Sequence, residues 1–496
     1  MPLLIGEIFR RNARVVPDSP AAVMGEVELS HARLNARGNA TARVLREGGV
    51  RHGDRVVTWA DTSLDMLPLY VGLAKLGAVF APLNARLGVG EAAEVAAVAR
   101  PRLLVADAER APELDELARR AEVPQVARLG GEGPGDDLVA AAAAAPDGEI
   151  DEPGLRETDT HVLFFTSGST GRSKGVILSH RANYLRTYQG VFRDEPERSI
   201  CMFPLFHMAA FTLATSAWQT RGEICFVQPP TADALLAAVE RRRANRLYCL
   251  PAVWGRILEA DPERYDVSSL RQVDTGTSAT PIELLRALKR RFPGTATRVH
   301  YGSTECGSGA SLADADVLRK PGSVGLPPPG VELRLDEKGE ICVRSDVLMD
   351  GYFDNPEATA EALQDGWYRT GDIGSLDDEG YLSIVGRVRD IIRTGGESVA
   401  PTEVEQALAD HPGIRELAVV GIPDPAWGEV VCAVVVPNEG AEIDLEGLQA
   451  HCASRLARFK QPRRLELIDA LPRTAATRQI QRTLLVERIA SQPPGA

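Results

Sequence analysis

The sequence predicts an α/β protein: a large N-terminal body of two similar α/β subdomains, a small antiparallel, β-barrel-like part, and then a small α+β C-terminal domain. Three observations point there. Short apolar runs alternate with helix-compatible stretches between residues 55 and 106, the same rhythm returns after residue 160, and beyond Gly330 it gives way to short strands of antiparallel character. Alternation of this kind is what a mostly parallel sheet with crossover helices requires. A length of 496 residues agrees, since ~150 residues per domain suggests two to four domains.

In order along the chain, RVVTW, a helical LDMLPLYVGLAKL, AVFAPLN and RLLVAD form the first βαβ series. Gly130 to Glu149 is a Gly/Pro turn cluster running into six alanines, which reads as a surface excursion or a short helix. HVLFF, EICFVQ, RLYCL, RQVDTG and TRVHYG carry the second series, with ADALLAAVERRRAN and PIELLRALKRRF as helices between them. After KPGSVGLPPPG, the segment VELRLDEKGEICVRS predicts a hairpin with Lys338-Gly339 at its tip. From about Asp390 a separate unit begins, with helices TEVEQALADH and LEGLQAHCASRLARF and strands ELAVVGIPD and VVCAVVVP.

Charge and composition exclude several classes of function. With 56 basic against 69 acidic side chains the net charge is −13, which argues against a nucleic-acid binder that works by neutralising phosphates. The most apolar early stretch, Leu69 to Leu83, is interrupted by Lys75 and falls short of the roughly 20 residues of a membrane span. No small-residue cleavage site follows the N-terminal MPLLIGEIFRRNARVV, so a cytoplasmic protein without an export signal is expected. The seven cysteines form no C-x-x-C pair, and this suits a reducing compartment.

Chemistry concentrates first in FFTSGSTGRSKGVILSH, Phe164 to His180. Gly168, Gly171 and Gly175 let backbone N–H groups turn towards an anion, Thr166, Ser167, Ser169 and Thr170 add hydroxyl donors, and Lys174 adds charge. This is a phosphate loop in composition. It is not the Walker A loop, which ends in Gly-Lys-Ser/Thr where Ser173-Lys174-Gly175 stands here. Glu305, after Ser303 and Thr304 at the end of a predicted strand, offers the carboxylate oxygen that magnesium prefers. Asp372, which follows Gly371 in Thr370-Gly371-Asp372, can accept hydrogen bonds from two ribose hydroxyls or serve as a turn residue.

These segments resemble, in order and spacing, the adenylate-forming superfamily of acyl-CoA synthetases, aryl-CoA ligases, luciferases and adenylation domains. TSGSTGRSKG looks like the family's phosphate loop, with Ser173 in place of its usual proline. FPLFHMAAF, TGTSATP, YGSTE, DGWYRTGDIG, GRVRDIIRTGGESVAPTEVE and LARFKQP match the later motifs across about 300 residues, except that Thr277 and Ser278 stand where the family more often has glycine and alanine. The resemblance implies binding of ATP with Mg²⁺, a small carboxylic acid, and CoA or another acceptor nucleophile. On the matching positions it implies that Ser278, Tyr301, Gly302 and Ser303 border the nucleotide, that Thr304 touches the α-phosphate, and that Glu305 holds the metal. It implies further that Asp372 and Arg387 hold the ribose, that His207, Ala209, Phe211, Gly276, Gly302 and Gly307 line the acid pocket, and that Gly395, Gly396 and Glu397 pass the pantetheine. Arg389 falls at the hinge between an N-terminal domain, 1–388, and a mobile cap, 389–496.

One motif departs from the pattern. The family's catalytic lysine, in P-[RK]-T-x-x-G-K, sits between the substrate carboxylate and the α-phosphate and offsets their repulsion. Leu471 to Leu485 contains no lysine: an ungapped alignment puts Arg478 there, and a one-residue insertion puts Gln479 there. Three readings stay open. Arg478 carries the charge of an ordinary ligase, although its wide guanidinium is not equivalent to an ammonium; the enzyme activates a smaller anion such as nitrite for an aromatic amine; or the chain is a degenerate nucleotide-binding homologue.

Overall fold

The structure, a computed structural model, describes residues 2–167, 173–188, 195–260, 264–278, 280–394, 397–425, 427–453, 455–474 and 479–490. The chain divides into two compact units, Met1–Leu333 with Val343–Tyr368, and Arg334–Cys342 with Arg369–Ala496. The border expected after residue 388 therefore lies inside the second compact unit.

The first unit holds the two expected subdomains, each an eight-stranded sheet. In one, Gln272–Gly276, Arg246–Tyr248, Arg198–Cys201 and Glu223–Phe226 run parallel at the centre, and the antiparallel hairpin Ala296–Ser303/Gly307–Leu312 closes an edge. In the other, Val79–Pro82, Arg55–Trp59 and Leu103–Asp107 run parallel, and Thr160–Ser167 turns back antiparallel into Ser173–Ser179. Gly351–Tyr352 then adds an antiparallel edge to Ser173–Ser179.

Every residue of the helix Met66–Leu76 is buried. A helix buried all round belongs between two layers, and its Tyr70 stacks on Phe211 at 4.5 Å and meets Phe80 edge-on at 5.6 Å. Phe9 and Trp218 extend the cluster. Such aromatic pairs contribute about 0.5–1.5 kcal/mol each beyond their buried area. Here they fix the helix Met208–Gln219, whose first turn presents His207. The alanine-rich excursion contains the short helix Leu138–Ala144, capped by Asp137, which accepts hydrogen bonds from the Val139 and Ala140 amides.

In the second unit the hairpin tip at Lys338-Gly339 is present, with Gly339 N–H donating to Asp336 O at 2.9 Å. Trp367–Leu376 pairs antiparallel with Leu382–Arg387. Beyond them a second sheet is built on the long hairpin Ile414–Asp424/Gly428–Pro437, flanked by Ile392–Thr394 and Arg464–Leu467. Alternate residues of that hairpin feed two separate cores, Val419, Val431 and Val435 on one face and Ala418, Val420 and Val434 on the other. Period-two patterning with both faces apolar is what a strand covered on each side requires.

Candidate active site

The turn Thr304–Cys306 joins two antiparallel strands whose register sets Gly302 opposite Ser308 and Ser303 opposite Gly307. A Cβ on Gly302 would stand 2.0 Å from Gly307 O, so only glycine permits this closure. The Glu305 side chain is 9% exposed, and its Oε1 accepts hydrogen bonds from the Tyr352 hydroxyl at 3.2 Å and the Thr166 hydroxyl at 3.5 Å. Both donors converge on one oxygen. Among the described residues no hydrogen bond reaches Oε2 and no cation lies within ion-pair distance of the carboxylate.

The turn's backbone is held from behind by Arg186, a buried residue of the helix His180–Arg186. Its guanidinium donates to Val347 O at 2.7 Å, Thr304 O at 2.8 Å and Glu305 O at 3.0 Å, and leans on the Met208 sulfur at 3.4 Å. Burial draws its pKa down to about 10, and it stays charged at neutral pH. Nothing in the sequence singled out Arg186. The one available signal was an arginine on the inward face of an amphipathic stretch.

Thr166 and Lys174, expected at the two ends of the phosphate loop, face each other across the Thr160–Ser167/Ser173–Ser179 ladder. The Lys174 ammonium rests over the Tyr352 ring, 4.8 Å from its centre. Ser167 pairs with Ser173, the residue that stands for the expected proline. Gly168, Ser169, Thr170 and Gly171 lie outside the described residues.

His207 precedes the helix Met208–Gln219, and its Nδ1 accepts the Ala209 N–H at 3.1 Å. Burial depresses its pKa to about 4, so it is a neutral imidazole that uses Nδ1 as a cap. It stacks on Phe203 at 5.8 Å, Phe203 meets Tyr248 edge-on, and Tyr248 lies against His300. Gly276 adopts φ +151°, and a Cβ there would meet His300 O at 2.3 Å. Thr277, where the resemblance calls for glycine, takes φ +65°, and its hydroxyl donates to Gly276 O at 2.6 Å. A β-branched residue in the left-handed region is strained, and such strain concentrates near functional sites. Ser278 beside it is exposed. The Tyr301 ring lies 3.3 Å from where a Cβ on Gly309 would stand.

The strands leading to Gly276 and Tyr301 are pinned by a buried charge network that the sequence did not reveal. Arg246 donates to Asp274 at 2.6 Å and to Glu197 at 3.0 Å; His300 Nε2 lies 3.2 Å from Asp274 Oδ1, and Gln272 donates to the same carboxylate. Burial alone would raise the Asp274 pKa, but the Arg246 charge and these hydrogen bonds hold it well below the usual carboxylate range.

In the second unit Asp372 and Arg387 are direct cross-strand partners, and Arg387 Nε lies 3.1 Å from Asp372 Oδ1. Arg389 sits in the short turn Val388–Asp390, is exposed, and lies 3.6 Å from the Asp390 carboxylate. Glu397 pairs with Thr394; Gly395 and Gly396, between them in sequence, lie outside the described residues. Near the chain's end Arg473 bridges Ile480, Thr474 N–H donates to Gln479 O at 2.8 Å, and Gln479 N–H returns to Thr474 Oγ1 at 3.1 Å. The Gln479 side chain is exposed, and Arg478 lies outside the described residues.

Among the described residues no group of three or more His, Cys, Asp or Glu side chains is placed to hold a metal. One carboxylate beside the Thr166 and Tyr352 hydroxyls still suits Mg²⁺, which keeps several waters and takes its other ligands from substrate phosphates. No helix among the described residues is long and apolar enough to cross a membrane.

Residues 9–353 match the family model of the AMP-binding enzymes, and residues 403–478 match the model of the AMP-binding enzyme C-terminal domain. A feruloyl-CoA synthase of Amycolatopsis sp is 36% identical over 482 residues, covering 94% of this chain and 95% of its own. The long-chain-fatty-acid–CoA ligase FadD13 of Mycobacterium tuberculosis is 33% identical, covering 99% of each. Among solved structures, ATP-bound MatB from Rhodopseudomonas palustris superposes with a TM-score of 0.89 at 29% identity, covering 99% of both chains.

Proposed function

Because the chain belongs to the family of AMP-binding enzymes, we propose that it is an ATP-dependent acid–CoA ligase that works through an acyl adenylate. The observation that carries this reading is the convergence of Thr166, Tyr352 and Arg186 on the Glu305 turn: a carboxylate oriented by hydroxyls beside the phosphate-loop strands. Glu305 would hold Mg²⁺, which would supply positive charge against the ATP phosphates. The chain's own residues do the rest. Backbone and hydroxyl donors of Thr166 to Gly171, with Lys174, hold the phosphates; Thr304 orients the α-phosphate; Tyr301, Gly302, Ser303 and Ser278 border the nucleotide; Asp372 and Arg387 hold the ribose. The acid lies in a pocket lined by His207, Ala209, Phe211, Gly276, Gly302 and Gly307, and neutral His207 adds no charge that would trap the carboxylate.

In the first step a carboxylate oxygen forms a bond to the α-phosphorus while the bond to pyrophosphate breaks. Arg478 offsets the repulsion between the two anions. In the second, residues from 389 onward turn about Arg389, and Gly395, Gly396 and Glu397 admit the CoA thiol. Its sulfur bonds to the acyl carbon, the thiol proton is released, and AMP leaves. Feruloyl-CoA synthase and FadD13 are acyl-CoA-forming relatives, which favours CoA as acceptor over the nitrite-activating and degenerate readings. The seven buried free thiols suit a cytoplasmic enzyme.

ATP–pyrophosphate exchange over a panel of aryl, fatty and small acids tests the proposal. Acid-dependent exchange followed by CoA-dependent AMP release is the expected result; ATP binding with no exchange for any acid would overturn it.

A further inference from the structure

Tyr352 touches both charged groups of the phosphate site without being charged itself. Its hydroxyl donates to Glu305 Oε1 at 3.2 Å, and its ring carries the Lys174 ammonium 4.8 Å from the ring centre. The edge strand Gly351–Tyr352 delivers it there: Tyr352 pairs with Val176, two residues beyond Lys174, and Phe353 N–H donates to Gly175 O at 2.8 Å. The Tyr352 amide is fixed in turn by the Thr359 hydroxyl at 2.9 Å. The residue is 9% exposed.

Elementary electrostatics makes such a spacer useful. An ammonium and a carboxylate on neighbouring elements of a partly desolvated site attract strongly, and a direct ion pair would occupy both the metal's ligand and the phosphates' cation. A tyrosine between them satisfies each partner weakly and reversibly: a neutral hydroxyl on one carboxylate oxygen, and a cation–π contact of about 0.5–2 kcal/mol for the ammonium. Thr166 and Tyr352 both engage Oε1, which leaves Oε2 without a hydrogen-bond partner among the described residues.

We propose that Tyr352 is a positioning residue that keeps Lys174 off Glu305 and aims Glu305 Oε2 at the metal of the incoming nucleotide. The proposal rests on the reading of Glu305 as the magnesium carboxylate, and the experiment separates the two. Binding of a non-hydrolysable α,β-methylene analogue of ATP is measured by calorimetry as free Mg²⁺ is varied, for wild type, Tyr352→Phe, Tyr352→Leu, Tyr352→Leu with Lys174→Ala, and Glu305→Gln. The phenylalanine variant keeps the ring and loses one charged-acceptor hydrogen bond, so its Mg²⁺ half-saturation rises about tenfold while affinity without Mg²⁺ is unchanged. The leucine variant frees Lys174 to pair with Glu305, so it shows a larger rise and weaker binding without metal. Adding Lys174→Ala then recovers part of the Mg²⁺ response. A tyrosine that only filled space would change the melting temperature of the leucine variant and leave Mg²⁺ half-saturation alone in Tyr352→Phe and Tyr352→Leu. An unchanged half-saturation in Tyr352→Phe, with Glu305→Gln strongly impaired, overturns the role of Tyr352. An unchanged half-saturation in Glu305→Gln overturns the metal assignment and this inference with it.

Discussion

Arg186 offers the sharpest test of how the site is built. Replacing it by leucine removes the only donors among the described residues to Val347 O and Thr304 O, while Glu305 O keeps the Met349 amide at 2.7 Å. Two partly buried carbonyls left without partners cost up to about 1–3 kcal/mol each. Relief of the guanidinium's own desolvation, visible in its pKa near 10, offsets part of that. The expected net loss is about 3 kcal/mol in urea denaturation at pH 7.5. The catalytic effect is separate. With the guanidinium gone the Thr304–Glu305 backbone is free to shift, and a misplacement of about 1 Å lowers a rate roughly 100-fold, to be read in ATP–pyrophosphate exchange. Arg186→Lys keeps the charge but reaches fewer carbonyls, and intermediate losses are expected in both assays. A leucine variant that loses stability while its exchange rate per folded molecule equals wild type would refute the claim that Arg186 positions the turn.

Other outcomes follow from the same geometry. Gly302→Ala forces a Cβ to 2.0 Å from Gly307 O, so it should abolish exchange and destabilise the fold by a few kcal/mol, about the size seen for overpacking in a core; a stable, active variant would contradict the closure. Asp372→Ala should raise the KM for ATP about tenfold or more with little change in melting temperature, since it removes a charged acceptor from a half-buried position; an unchanged KM would exclude a ribose contact. Arg478→Ala should slow adenylation roughly 100-fold while Gln479→Ala leaves it near wild type; the reverse order would assign the lysine's place to Gln479. His161 and His180 are buried, and burial sets the first well below its ordinary pKa and the second at about 4. The unfolded chain therefore takes up protons that the folded one does not, and their stability contribution, complete above pH ~6.5, is lost as pH falls. Between pH 7.5 and 5.5 the pair should remove about 3 kcal/mol, measured as a drop in urea midpoint that His161→Gln/His180→Gln flattens.

Much of this protein is legible in one dimension. The two βαβ series were readable because buried strands and amphipathic helices impose periods of a few residues, and the hairpin at Lys338-Gly339 because glycine marks a turn. Thr166, Lys174, Glu305 and Asp372 stand out in the sequence because the expected phosphate, metal and ribose contacts call for those residue types within short motifs. Tertiary structure decided what holds them. Arg186 reaches Thr304, Glu305 and Val347; Tyr352 reaches Glu305 and Lys174; Arg246 joins Glu197 to Asp274. Each of these contacts spans residues remote in sequence. No local pattern records such a pair, because a side chain's propensity depends on its neighbours along the chain, whereas a buried charge is placed by whichever carbonyls and carboxylates the packed sheets bring to it. The sequence alone thus determined the chemistry available at each motif, and the packing of the sheets and helices determined which atoms orient it.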